Sequence, residues 1–286
     1  MTASTIQKEY SLPRNKLESS RLNSQHNVWK SNIGYLINPK IASSLPVEAR
    51  IADVGTGTGI WLTDLAGSTS PSCLLTGLDI SDSQFPENHP PGCSFKVLNI
   101  LEPVPEKLCG IFDMVHLRLL TMGLAGRDWQ TCASNVMSLL KPGGWVQWEE
   151  ADFPGMDVLQ NVSGASRAAC KKALQGVIEG YRVHGKLGGE ARKLGEIVQA
   201  AGYEQCEEDV VGSDRVADCR TAFTVVNKGA AVGLLNFVAK DPGSGWTSDR
   251  VEELSRLCDE EIKDDKVYWR VDLHVAIGRK PGGQTV

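Results

Sequence analysis

The chain of 286 residues is short of basic side chains: 30 Lys and Arg stand against 35 Asp and Glu, a formal net charge of −5. That deficit argues against a nucleic-acid partner, whose phosphates call for a basic footprint. No window reaches the roughly 18 consecutive apolar residues of a membrane span. The opening residues MTASTIQKEYSLPRNK hold no apolar core of a signal peptide. We therefore expect no membrane partner and a cytoplasmic, reducing location. The eight cysteines are scattered, with neither a CxxC pair nor a Cys/His cluster at zinc spacing. They are read as buried thiols, with no disulfide and no metal. With 41% hydrophobic and 23% charged residues, the chain is a folded globular protein rather than a disordered one.

A single domain over residues 1–286 is expected. Residues 1–16 are too polar to offset their ordering entropy and are read as mobile. Residues 17–45, with Leu22, Val28, Trp29, Ile33, Tyr35 and Leu36 spaced among polar positions, suit a helical cover of one or two amphipathic helices. Residues 46–150 alternate short β-rich runs (RIADVG, CLLTGLDI, SFKVLNI, FDMVHLRLL, GGWVQWEE) with helical ones (GIWLTDLA, WQTCASNVMSLL). That alternation predicts βαβ units, a parallel sheet and right-handed crossovers. Residues 151–286 are read as a helical insertion and closing strands. The spacings around 165–181 and 194–201, then 221–239 and 247–262, predict helices. Tyr203 to Val211 and Val267 to Ile277 are read as strands.

At the first strand-to-helix junction Asp53 precedes the loop Gly55, Thr56, Gly57, Thr58 and Gly59. Glycines there allow a sharp turn and bring backbone N–H groups against a ligand, although such a turn can also be ligand-free. The spacing GxGxG is neither the dinucleotide fingerprint GxGxxG nor a phosphate loop ending in Gly-Lys-Ser/Thr. An acid at the end of the first strand would repel a pyrophosphate but could pair with a cationic amino-acid group. This favours S-adenosylmethionine over NAD. Asp79, ending the second strand, is placed to accept hydrogen bonds from two ribose hydroxyls, or simply to cap the next helix. Asn99 could contact an adenine edge, with Ile80 and Ile100 on the two faces of the ring.

These residues resemble the class I S-adenosylmethionine-dependent methyltransferases, and within them the fungal LaeA-like group of secondary metabolism. The segments that carry the resemblance are RIADVGTGTGIWLTDLA, LTGLDISDSQFP, FDMVHLRLL, LLKPGGWVQWEE, ESSRLNSQHNVW with GYLINPKI, and HVAIGRKP. It implies a Rossmann-like seven-stranded sheet in the order 3-2-1-4-5-7-6, with strand 7 antiparallel. It also implies that Gly55 and Gly57 lie beneath the methionine moiety, that Asp79 binds ribose, and that Ile80, Asn99 and Ile100 form the adenine slot. The family often has Asp where Asn99 stands. The main-chain carbonyl of His116 would meet the cofactor's amino group.

Methyl transfer needs a nucleophile held on the axis of the sulfonium methyl, plus a base when that nucleophile carries a proton. By position at strand ends or under the N-terminal cover, His116, Arg118, Gln147, Trp148, Glu149 and His26 qualify. His116 is expected as general base because imidazole titrates near neutral pH, the alternative being a histidine bonded to nearby backbone. Glu149 could accept a proton or bind an amine, or terminate a strand with solvated charge. His26 sits on the cover, His274 is read as packing, and Trp29, Tyr35 and Trp148 could wall an aromatic site or belong to the core. The expected partner is a small molecule methylated on O or N, and the protein a monomer or small homo-oligomer. A LaeA-like regulatory protein, or a methyltransferase fold that promotes a rearrangement without transferring methyl, are the alternatives.

Overall fold

The computed structural model describes residues 14–183 and 189–282. The expected mobility of the extreme N-terminus lies almost wholly outside the described residues. A helix, α1 (Lys16–Ile33), is capped by the Asn15 side chain and closed by Gly34 in the left-handed region. After the short α2 (Pro39–Ala42), strand β1 (Arg50–Val54) leads through the glycine loop into α3 (Ile60–Ala66). Then follow β2 (Leu74–Asp79), β3 (Cys93–Val97), β4 (Phe112–Arg118), α4 (Asp128–Leu139) and β5 (Leu140–Ala151). The remainder comprises β6 (Asp157–Gln160), α5 (Ala168–Val183), α6 (Leu194–Ala200), β7 (Glu204–Gly212), α7 (Arg220–Val238), α8 (Ser248–Ile262), β8 (Val267–Arg270) and β9 (Asp272–Arg279).

Seven strands form one sheet in the order β3-β2-β1-β4-β5-β9-β7. The first five are parallel, and β9 runs antiparallel to both β5 and β7. Numbered within the sheet alone, this is the expected 3-2-1-4-5-7-6 order with its antiparallel seventh strand. Both faces are covered, as a parallel sheet requires. On one face Ile51, Leu75 and Met114 meet Trp61, Leu62 and Leu65 of α3. On the other, Val54, Val115, Leu117 and Trp148 meet Trp129, Val136 and Leu194 of α4 and α6. Each large apolar side chain buried in this way contributes about 1.5–3 kcal/mol.

One expectation for the closing segment is corrected. Val267 to Ile277 is not a single strand but two, broken at Val271. There the ladder switches partner: Val271 N–H donates to Ser213 Oγ (3.0 Å), β8 pairs with β6, and β9 joins the large sheet. The small β6–β8 sheet underlies a third core in which α5, α7 and α8 pack with Val28, Trp29 and Ile33 of α1. The run Ala217–Val238 is long and apolar enough to cross a membrane by length and composition. Here it is the central helix of this layer, with Phe223, Leu234 and Leu235 buried against its neighbours.

Candidate active site

The carboxyl ends of β1, β2 and β4 open onto a cavity of about 240 Å³, the place where open α/β sheets bind ligands. α1 closes it from above through polar anchors. Trp29 Nε1 donates to Glu149 Oε2 (2.6 Å) and Thr58 Oγ1 to Asn23 Oδ1 (2.8 Å). His26 Nε2 lies 2.8 Å from Asp64 on α3.

The polar end of the cavity is built by the glycine loop. Gly55 (φ +73°) approaches Leu120 so closely that an added Cβ would lie 2.4 Å from Leu120 Cδ2. Gly55, Thr56 and Gly57 line the cavity. Gly59 does not: it is glycine because its φ is +69° and a Cβ would meet the Phe95 ring at 2.6 Å, so its requirement is packing. Asp79 Oδ2 accepts from Gly57 N–H (2.9 Å) and Oδ1 from Ser81 N–H (3.1 Å). Burial raises the Asp79 pKa against the pull of these donors. Ile80, Ile100 and Asn99 also line the cavity, and Ile80 is 59% exposed, an apolar face with no protein cover. The Asn99 amide is turned into its own loop, accepting from Leu101 N–H (3.1 Å) and donating to Glu102 (3.1 Å).

Of the three residues expected in proton transfer, Glu149 and His26 are off the cavity wall and His116 is on it. His116 lines the cavity but its side chain has no exposure. Its Nδ1 lies 2.7 Å from Asp53 Oδ1, its Nε2 3.5 Å from Glu149 Oε1, and its ring stacks on Trp61. Burial disfavours its charge, but the Asp53 and Glu149 carboxylates outweigh burial and raise the pKa. That direction favours the imidazolium, while Nε2 has no hydrogen-bond partner among the described residues. Asp53, expected to meet an amino group, lines the cavity while it bonds His116 and accepts from Thr56 Oγ1 (2.7 Å). Glu149, 2% exposed, is not against the cavity: its oxygens take Trp29 Nε1 and Gln147 Nε2 (2.6 Å). Burial opposes its ionisation, and His116 and Arg118 still hold its pKa low. His26 is 1% exposed and accepts from Arg118 Nη2 at Nδ1 (3.1 Å), which leaves Nε2–H for Asp64. Burial first, and then Arg118, lower its pKa, so it is neutral.

The other candidates separate. Arg118 does line the cavity. Gln147 is buried, bonded to the Leu36 carbonyl and the Asn38 amide. Trp148 stacks on Trp129 in the core and donates to Glu150. Trp29 and Tyr35 are likewise off the cavity wall, and His274 pairs with Glu208 (2.7 Å). Among the described residues no cluster of three or more His, Cys, Asp or Glu could hold a metal.

Sequence reasoning missed Arg21. Glu18 clamps it with two bonds, from Nε (2.8 Å) and Nη2 (2.7 Å), and turns Nη1 inward, buried and without a partner among the described residues. Arg21 lines the cavity beside the glycine loop. The i, i+3 spacing of Glu18 and Arg21 on a helix was the available signal. The far end of the cavity was also missed: Phe153, Met156, Leu174, Val177, Ala231 and Trp269 make it apolar.

Residues 51–144 match the family described as "Methyltransferase domain". The chain is 31% identical over 283 residues to methyltransferase grgD of a Penicillium species, covering 92% of this chain and 93% of that one. It belongs to the class I S-adenosylmethionine-dependent methyltransferases. This methyltransferase is also 39% identical to N-methyltransferase sirN of Leptosphaeria maculans, over 48% of each chain. It is 23% identical to the secondary metabolism regulator laeA of an Aspergillus niger strain, over 97% of this chain and 74% of that one, and it is LaeA-like in that sense.

Proposed function

We propose that this enzyme transfers a methyl group from S-adenosylmethionine to a nitrogen or oxygen of an apolar small molecule. The observation that carries the reading is one cavity with two unlike ends, a polar glycine-loop end and an apolar end walled by α5, α7 and β8. The similarity to sirN, itself an N-methyltransferase, supports nitrogen as acceptor.

The residues present fit the cofactor. Asp79 keeps lone pairs for ribose hydroxyls beyond the two backbone bonds it accepts. Ile80, Ile100 and Leu98 supply flat apolar walls for adenine. The orphaned Arg21 Nη1 is a donor for the methionine carboxylate. The bound cofactor supplies an electrophilic sulfonium methyl. His116 and Glu149 act as positioning residues: they join the ends of β1, β4 and β5 and fasten α1 over the site through Trp29. α1 covers the site from above, and the apolar helices wall its far end.

Calorimetry with S-adenosylmethionine, S-adenosylhomocysteine and NAD tests the cofactor half, with micromolar binding of the first two and none of NAD expected. A screen of apolar N–H and O–H compounds read by methyl incorporation tests the second half. Substrate turned over without methyl gain, or NAD binding in place of the adenosyl compounds, would overturn the reading.

A further inference from the structure

Two helical stripes wall the apolar end of the cavity: Leu174, Val177 and Ile178 on α5, and Asn227, Ala230 and Ala231 on α7. Both follow i, i+3, i+4, the spacing that puts side chains on one face. Asn227 is the exception in chemistry. It is 6% exposed, and its Nδ2 donates to the Phe223 carbonyl one turn back (2.8 Å). That bond fixes the amide plane and engages Nδ2, so the amide's acceptor is Oδ1, with Ala230 and Ala231 beside it on the same face. Among the described residues no other side-chain oxygen lines the cavity from α5, α7, β8 or the loop after β5. An amide oxygen on the wall of an otherwise apolar chamber is an acceptor available to a donor bound there.

Resting on the methyltransferase reading above, we propose that Asn227 Oδ1 holds the acceptor X–H group, and that the substrate is a neutral, largely apolar molecule presenting one N–H or O–H there. Among the described residues the carboxylates on the cavity wall already accept hydrogen bonds, Asp53 from Thr56 and Asp79 from Gly57, and His116 Nδ1 is engaged by Asp53. The acceptor's lone pair forms the new bond to the methyl carbon while the C–S pair passes to sulfur, giving the thioether S-adenosylhomocysteine. The acceptor's proton, now on a cationic atom, leaves to water. Asn227 positions the X–H bond so that the lone pair points at the methyl.

The test uses probe pairs that differ only by a methyl on the donor atom: acetanilide with N-methylacetanilide, and 1-naphthol with 1-methoxynaphthalene. Each is titrated calorimetrically into the full chain loaded with S-adenosylhomocysteine. The unmethylated member of at least one pair should bind about tenfold more tightly, and the pair that discriminates tells N–H from O–H acceptors. Asn227→Leu, and Asn227→Ala in case leucine disturbs packing, should abolish that preference while leaving S-adenosylhomocysteine affinity unchanged. Equal affinities in the parent, no probe binding, or a preference that survives both substitutions would overturn the assignment. Failure of S-adenosylhomocysteine itself to bind would instead bring down the methyltransferase reading on which it rests.

Discussion

The His116 imidazole lies parallel to the Trp61 indole, with 3.9 Å between ring centroids and 2° between planes. One ring edge faces Asp53 on β1 and the other faces Glu149 on β5. An imidazole stacked on an indole and set between two carboxylates, which favour its charged form, is a structural joint. It binds three neighbouring strands and α3 just beneath the cavity.

Replacing His116 with Ala leaves two buried carboxylates without their shared cation and should destabilise the protein by about 3–5 kcal/mol. Urea denaturation measures it. A histidine serving only as base would instead leave the midpoint unchanged while turnover vanished, and that outcome would remove the joint.

Burial pushes the Glu150 pKa up to about 8 from an ordinary 4.5. A carboxyl that holds its proton more tightly when folded gives its full stabilisation below about 4.5, and loses it as pH rises through about 8. The contribution of His116 runs the same way, complete below 6.5 and lost as pH passes its raised value. Stability should therefore fall between about pH 5 and 9, by roughly 3–5 kcal/mol from Glu150 alone. Glu150→Gln keeps an acceptor for Leu120 and Trp148 and should flatten the slope in denaturation series. An unaltered slope would refute the assignment.

Arg21→Ala removes the inward-facing Nη1 and should weaken S-adenosylmethionine binding by about 1.5–3 kcal/mol, the scale of a charged hydrogen bond. Decarboxylated S-adenosylmethionine lacks the group Arg21 is proposed to hold, so its affinity should not change. Equal losses for both ligands in calorimetry would place Arg21 elsewhere.

Asp79→Ala should cost about 1–3 kcal/mol of cofactor affinity, since ribose hydroxyls lose a buried acceptor and Gly57 N–H loses its anchor. Calorimetry returning the parent affinity would take Asp79 out of the site.

The sheet was legible because hydrophobic periodicity and the spacing of Asp53, the glycines and Asp79 are local signals. The position of His116 at the end of β4 was equally legible. Its role was not, because its partners lie 63 residues before it and on another strand after it. Pairing across a sheet sets a side chain's protonation, and spacing does not report it. Likewise β6, a four-residue strand just after Pro154 and Gly155, exists because Val267–Arg270 pairs with it. Asn227 stood as a single amide in the apolar run AFTVVNKGAAVGLL, but only the packing of α7 over the cavity gives that amide a direction.

The bond from Trp29 to Glu149 spans 120 residues. On a ribosome adding about 5–20 residues per second, the anchor for the first helix emerges roughly 6–24 s after the helix itself. Until then the apolar face of Val28, Trp29 and Ile33 has no sheet to rest on. In vectorial synthesis the helix first meets Thr58 and Asp64, and its third anchor arrives only when β5 is made.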